Sequence, residues 1–279
     1  MTGGSRIFRD GLLDGQVGII SGAGSGLGRE TALELTRLGM TVVGCGRREE
    51  PLTETAELAG ERFNAVQCDI REEDQVAGLV DGVLERHGKI DLLVNNAGGQ
   101  YLTPAEDINL KGFRTVMRLN VEGTWLMTHA VATKAMIPAE GGKVLSVTLS
   151  PHNGMPGMAH SGAARAAVEN MMRTLSVEWA RFGIKLNALA AGQFATDTLL
   201  TKYPKQIVDG VAASVPQQRM GEPEELAWLV AYLASPAGDF TSGSVITVDG
   251  ARDNWMGPWP PAAIASDAGS VVPEERKPK

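Results

Sequence analysis

Short apolar runs ending in small residues alternate with longer stretches of helical period along most of this chain, and no other feature narrows the fold as far. VGIIS precedes GLGRETALELTRLG, TVVGC precedes PLTETAELAG, FNAVQC precedes REEDQVAGLVDGVLERHG, and DLLVNNAG precedes a long segment to about Ile137. KVLSVTLS, a segment from Ser161 to Phe182, IKLNALAAG, a variable stretch and SVITVDG complete the series. Strands this uniformly apolar must be covered on both faces, so the pattern predicts an α/β fold, a doubly wound parallel sheet with helices on both sides. Ligands of such sheets bind beyond the carboxyl ends of the strands, which places the motifs in the loops leaving those ends.

A chain of 279 residues is long enough to bury a large core as one domain. Residues 13–250 are expected to form it, with 1–12 as an N-terminal extension and 251–279 as a C-terminal tail. That tail is rich in Pro and polar residues, and Trp255 and Trp259 are expected to pack part of it down. A formal charge of −7 argues against general affinity for nucleic acid or an anionic membrane, so an anionic ligand needs a local site. The two cysteines, Cys45 and Cys68, lie in apolar runs, and His87, His129, His152 and His160 show no metal-ligand spacing with them, so neither a disulfide scaffold nor a metal site is expected. MTGGSRIFRDGLLDGQ contains no apolar stretch long enough for a signal peptide, and no run of about 18 apolar residues follows. A cytoplasmic location is expected.

SGAGSGLGRE follows a strand and opens a helix. Gly22, Gly26 and Gly28 stand where the backbone must turn tightly and approach a pyrophosphate at the helix N-terminus, with Ser21, Ser25 and Leu27 in the same turn. The second strand decides the form of the dinucleotide. An NAD site usually places an acidic residue about 20 positions beyond the glycines for the ribose 2′-OH, whereas an arginine there accommodates a 2′-phosphate. Here TVVGC runs into Gly46-Arg47-Arg48. Two guanidiniums and no strand-end carboxylate favour NADP, because an arginine fork can hold a phosphate bidentately. The alternative is that Arg47 and Arg48 are solvated and pair with Glu49 and Glu50.

The spacing Gly-x-x-x-Gly-x-Gly resembles the short-chain dehydrogenase/reductase family, and the resemblance extends from about Leu13 to Gly250. It implies a Rossmann-type fold. Asn95-Asn96-Ala97-Gly98 looks like the family's cofactor-supporting NNAG, which assigns Asn96, Ala97 and Gly98 to the cofactor. Asp69, followed by Ile70, matches its adenine-contacting aspartate. Asn120, in MRLNVEGTW, matches a helix asparagine that keeps a water or a lysine in place; the alternative is a buried structural amide. The resemblance also implies subunit pairing through the helices around Val121 to Met136 and Ser161 to Phe182, hence a homodimer or homotetramer.

The family's Ser, Tyr and Lys, with Tyr-x-x-x-Lys on one helix, meet a departure in MAHSGAARAAVENM. One register sets His160 and Ala164 at the Tyr and Lys positions; the preferred one sets Ser161 and Arg165 there, because Arg165 is followed by Ala-Ala-Val and keeps a cation at the nicotinamide ribose. The only tyrosines are Tyr101, Tyr203 and Tyr232, so neither register contains the phenol. Arg165 cannot relay protons as a lysine does; its alternative role is an ion pair with Glu169 four positions on. In KVLSVTLSP a hydroxyl survives at Thr148, with Ser150 nearby.

Carbonyl reduction needs a matched acid and suffers most from these losses. Reduction of an activated C=C bond gathers charge on a thioester oxygen, where hydroxyl donors stabilise it. The wider resemblance agrees: GGQYLTPAEDINLKGF, GGKV and HSGAARAAVENMMRTLSVEWA are similar to the acyl-CoA branch, which contains peroxisomal trans-2-enoyl-CoA and 2,4-dienoyl-CoA reductases. In the dienoyl enzymes, it implies, a serine occupies the Ser161 position and the tyrosine moves to the loop upstream, which here carries Ser150, His152 and Asn153. The arginine of GAAR is shared with the trans-2-enoyl reductases, the nearer match.

The expectation is therefore an NADPH-dependent enoyl thioester reductase. Ser161, Thr148, Ser150, Arg165 and Asn120 are its catalytic candidates, and Gln100, Tyr101, His152 and His160 border the substrate. Small hydroxyls such as Ser161 often only cap a helix, and either histidine is a candidate proton donor near neutral pH. The rivals are an alcohol/ketone dehydrogenase with a rebuilt proton path and a dinucleotide-binding protein without turnover.

Overall fold

A computed structural model describes residues 4–150, 152–202 and 205–254. Seven strands, β1 (Val17–Ser21), β2 (Thr41–Gly46), β3 (Phe63–Gln67), β4 (Leu92–Asn95), β5 (Gly142–Leu149), β6 (Ile184–Ala191) and β7 (Val245–Val248), form one sheet. Their spatial order is β3-β2-β1-β4-β5-β6-β7 and every pairing is parallel. The chain winds outward in one direction through β2 and β3, then returns to β4 on the other side of β1. The crevice where the order reverses lies at the carboxyl ends of β1 and β4, where such sheets hold ligands.

Consecutive apolar residues feed opposite cores because side chains alternate along a strand. Ile19, Val43, Leu93, Val144 and Leu186 enter one core with residues of α3 (Glu73–His87), α5 (Gly123–Val131) and α6 (Ala159–Glu178). Ile20, Val42, Val94, Leu145 and Leu189 enter the other with α1 (Gly26–Arg37), α2 (Glu49–Ala59) and α9 (Pro223–Ala234). Each fully buried Leu, Ile or Met contributes roughly 1.5–3 kcal/mol, which is why the alternation specifies register so firmly. The beginning of the chain is tied to this body: Leu13 is buried and its N–H donates to the Leu38 carbonyl at 2.9 Å. Phe8 and Leu12 pack against the second core.

The long segment before β5 is helical but not uniformly wound. α4 (Leu110–Met117) passes through a π-helical turn at Arg118–Glu122 into α5, and a second such turn follows at Ala132–Met136. Such turns are frequent at functional sites, and the first contains Asn120. In the variable stretch, α7 (Asp197–Lys202) and α8 (Lys205–Ala213) precede α9. Trp255, Trp259 and Tyr203 lie outside the described residues. Among the described residues no helix is long and apolar enough to cross a membrane.

Candidate active site

The turn after β1 is fixed by hydrogen bonds, beginning with the Gly22 and Ala23 N–H groups, which donate to the Cys45 carbonyl at 2.7 and 3.3 Å. Ser21 Oγ accepts from the N–H groups of Asn96 and Ala97 at 3.1 and 3.0 Å, and Asn96 Nδ2 donates to the carbonyls of Ser21 and Gly22 at 3.0 and 3.2 Å. Gly22 and Gly26 sit at φ +70° and +53°, which glycine alone adopts without steric cost. A Cβ on Gly28 would lie 2.3 Å from Asn96 Nδ2 and 2.4 Å from the Gly22 carbonyl oxygen. The start of α1 therefore docks directly on the two loops. Ser25 precedes that helix without a side-chain cap, and the first turn of Gly26, Leu27 and Gly28 carries no acidic residue. Free N–H groups at an uncapped, uncharged helix start suit a phosphate. Arg29, which the sequence did not single out, holds the turn from behind by donating to the Gly24 carbonyl at 2.7 Å and to Glu54 at 2.6 Å.

The groove leading away from this turn is lined by Gly22, Ser25, Arg47, Arg48, Asp69, Ile70, Asn96, Ala97 and Gly98. Arg47 and Arg48 are exposed. Among the described residues neither guanidinium has a hydrogen bond or ion pair of its own, so the pairing with Glu49 and Glu50 weighed above does not form. Asp69, matched to the adenine-contacting aspartate, stands in this lining. Arg71 holds it through Nη2 at 2.5 Å and Nε at 2.9 Å, and that bond keeps the carboxyl below its usual range.

At the other end of the groove the carboxyl ends of β4 and β5 meet the first turns of α6. Arg165 Nη1 donates to the Val147 carbonyl at 3.0 Å, while its Nε is buried without a partner among the described residues. Burial pushes this guanidinium down to about 10, against the pull of Glu169, so it stays cationic at neutral pH. Its ion pair with Glu169 is not formed. A Cβ on Gly98 would lie 2.3 Å from Arg165 Nη2 and 2.7 Å from Asn120 Oδ1, so the NNAG loop, Asn120 and Arg165 converge on one point. Asn120 Nδ2 donates to the carbonyls of Gly99 and Val116 at 2.8 Å each, and Oδ1 accepts from Gly99 N–H at 3.2 Å. This amide is both buried and the clamp on the loop.

The candidate hydroxyls are all buried and all engaged. Ser161 is not a cap: the helix starts at Ala159, and Ser161 Oγ donates to Gln100 Oε1 at 2.7 Å. Thr148 Oγ1 donates to Glu169 Oε1 at 2.9 Å. Ser150 donates to Asp249 just beyond β7, which commits it to holding the end of that strand. His160, expected to border the substrate, is fully buried: Tyr101 stands edge-on to it at 4.4 Å, Nδ1 accepts from Ser161 N–H, and Nε2 has no partner among the described residues. Tyr101 and Leu102 remain 40% and 69% exposed, an apolar rim at the mouth.

His152 is placed differently. Its Nε2 lies 3.0 Å from Glu169 Oε1 and its Nδ1 2.5 Å from Asp253 Oδ2. Asp253 Oδ1 also accepts from His152 N–H, and its backbone carbonyl accepts from Asn153 Nδ2 at 2.9 Å. Burial works against the charged ring, but the bond to Asp253 and the field of Glu169 outweigh it and raise the imidazole above 6.5. Sequence pointed to Glu169 only as an ion-pair partner for Arg165, and to Asp253 not at all. Glu169 stands four and eight positions after Arg165 and Ser161, which puts all three on one helix face, and that phase was the available signal.

The uncapped phosphate turn, the close backbone approach at Gly28 and the orphaned Arg165 Nε together fit a nicotinamide dinucleotide, and with it the class of dinucleotide-dependent oxidoreductases. A family model described as enoyl-(acyl carrier protein) reductase matches residues 22–251. The chain belongs to the short-chain dehydrogenase/reductase family. A peroxisomal 2,4-dienoyl-CoA reductase of Danio rerio is 31% identical over 253 residues, 88% of this chain and 84% of that protein. A 7alpha-hydroxysteroid dehydrogenase of Escherichia coli (strain K12) is 32% identical over 243 residues, 85% of this chain and 94% of that one. Among solved structures, the citronellol catabolism dehydrogenase AtuB of Pseudomonas aeruginosa PAO1 superposes with a TM-score of 0.80 at 42% identity, covering 88% of this chain and 98% of that one.

Proposed function

We propose that this chain is an NADPH-dependent reductase of an enoyl thioester of the 2-enoyl-CoA type, in which Ser161 and Arg165 occupy the positions of the family's Tyr and Lys. The observation that carries this reading is a pair of buried hydroxyls, Thr148 and Ser161, on the elements that carry the buried Arg165 guanidinium, with no tyrosine hydrogen-bonded to either among the described residues. Two hydroxyls suit the developing oxyanion of a thioester better than the full protonation of an alkoxide. The similarity to dienoyl-CoA reductases supports the same substrate class.

Bound NADPH supplies the hydride that adds to the β-carbon. Arg165 holds the nicotinamide ribose, and Asn120 holds the Gly98–Gly99 loop against it. Thr148 and Ser161 rotate from Glu169 and Gln100 to donate to the thioester oxygen, while Gln100 and Tyr101 border the acyl chain. Ser150, committed to Asp249, supports the loop. The second reading, an NADP-dependent alcohol/ketone dehydrogenase, is favoured by the similarity to a hydroxysteroid dehydrogenase. Trp125 on α5 and Val177 on α6 are 41% and 79% exposed, which supports a homodimer or homotetramer joined through those helices. Two unpaired buried thiols are in keeping with a cytoplasmic location.

With NADPH present, crotonyl-CoA or a longer 2-enoyl-CoA is expected to be consumed and simple ketones to be poor substrates. Ketone turnover without enoyl-CoA turnover would move the second reading to first place, and turnover of neither would leave a binding protein. Isothermal titration is expected to show NADPH bound more tightly than NADH, with Arg47→Ala removing most of the difference. Tighter binding of NADH by the unmodified chain would refute the 2′-phosphate role of Arg47 and Arg48.

A further inference from the structure

The buried hydroxyl of Thr148 is the inner end of a chain of hydrogen bonds that leads out to a partly exposed histidine. Thr148 Oγ1 and His152 Nε2 meet on the same carboxylate oxygen, Glu169 Oε1, at 2.9 and 3.0 Å. His152 is held from the other side by Asp253, through both its ring and its backbone N–H. Asp253 is in turn fixed by Asp249, which accepts from its N–H at 2.7 Å and from the Ser150 hydroxyl. Each ring nitrogen of His152 faces a carboxylate, and only the imidazolium carries an N–H for both. The His152 side chain is 33% exposed and that of Glu169 6%, so protons can enter from solvent at one end and the inner end is dry.

Resting on the function proposed above, we infer that His152 and Glu169 form a proton supply to Thr148, standing in for the proton donor that the helix lacks. They are positioning residues, reaching the substrate only through that hydroxyl. A proton passes from His152 Nε2 to Glu169, whose carboxyl then donates to Thr148 Oγ1. The Thr148 hydroxyl is freed to point at the thioester oxygen. As its proton moves to the enolate oxygen, Thr148 takes the one from Glu169, which returns to a carboxylate. Neutral His152 is reloaded from water, and the enol relaxes to the saturated thioester. One proton is consumed for each hydride transferred. The charged groups facing His152 are Glu169 on α6 and Asp253 from the segment after β7; Arg165 stands one turn before Glu169, and Asp249 stands behind Asp253. Its imidazolium is stabilised in the fold, so the supply is complete at low pH and is lost as pH rises through the raised ring pKa.

The test uses the full chain with Glu169→Gln, which keeps the shape and the acceptor for Thr148 but cannot carry a proton, and His152→Asn. In the unmodified chain, NMR titration of the His152 ring is expected to give a midpoint above 6.5, and Glu169→Gln should lower it. The pH profile of kcat should fall on the alkaline side of that midpoint. Both variants should lose this limb and about 10²-fold in kcat near pH 6, the lower end of what a positioned proton donor contributes, with NADPH affinity unchanged. Enoyl-CoA turnover with the same limb in both variants overturns the proton supply and leaves the enoyl reductase reading standing. Ketone turnover alone, with the limb present and lost in both variants, supports the supply and overturns that reading. No turnover of either class overturns both.

Discussion

Replacing Thr148 and Ser161 together by alanine is expected to abolish most enoyl thioester reduction, since loss of a single oxyanion donor already lowers kcat by about 10²–10³-fold where such donors dominate. Both hydroxyls are buried and each has one acceptor, Glu169 for Thr148 and Gln100 for Ser161. Truncation leaves Glu169 with His152 and leaves Gln100 open to solvent, so neither acceptor becomes a buried orphan and the stability cost should be small beside the kinetic loss. Thermal unfolding should accompany the kinetics, to separate a lower folded fraction from a slower step. Neither residue contacts the Gly22–Gly28 turn, so NADPH affinity should hardly change. Full activity in the double variant would refute the oxyanion role and direct attention to Tyr101 or Tyr203.

Arg165→Ala is expected to act on the cofactor as well as on the rate. Its guanidinium bonds the Val147 carbonyl and abuts Gly98. A hydrogen bond from a charged donor contributes about 1.5–3 kcal/mol, so NADPH binding should weaken by about one to two powers of ten. Arg165→Lys keeps the charge on a flexible stem that cannot reproduce the planar fork, and should recover part of the affinity. Fluorescence titration with NADPH separates the two outcomes. Equal affinity in Arg165→Ala and the unmodified chain would remove Arg165 from the ribose.

The inner strands were legible almost to the residue because they are covered on both faces, whereas the edge strands β3 and β7 are only partly buried. VGIIS became β1 without change, and TVVGC became β2 with one added glycine. The helix before β5 was legible in extent but not in winding, because a π-helical turn such as the one holding Asn120 depends on what the widened turn must reach, here the Gly99 backbone. The glycine turn was legible because its backbone geometry demands glycine; its bolt, Ser21 Oγ to Asn96 and Ala97, joins residues 75 or more apart and leaves no local pattern. The same holds for the histidines. His152 and His160 flank one loop and look alike in sequence, yet one ring is sealed against Tyr101 and the other is caught between two carboxylates. Glu169 was readable only as a partner for Arg165, because helical spacing gives neighbours on the same helix and is silent about Thr148 on the adjoining strand. Asp253 belonged to a segment read as tail, and only the position of β7 at the sheet edge brings it over the loop after β5.

Enoyl thioester reduction is tested most directly by where the hydrogen from the cofactor ends up. The full chain is incubated with NADPH deuterated at C4, in separate samples for each face, together with crotonyl-CoA and a simple ketone, and the products are read by mass spectrometry and deuterium NMR. One face of the cofactor should place deuterium on the β-carbon of butanoyl-CoA, with the α-carbon hydrogen drawn from solvent and the ketone little changed. Deuterium on a carbinol carbon of the reduced ketone, with crotonyl-CoA recovered unlabelled, would contradict it.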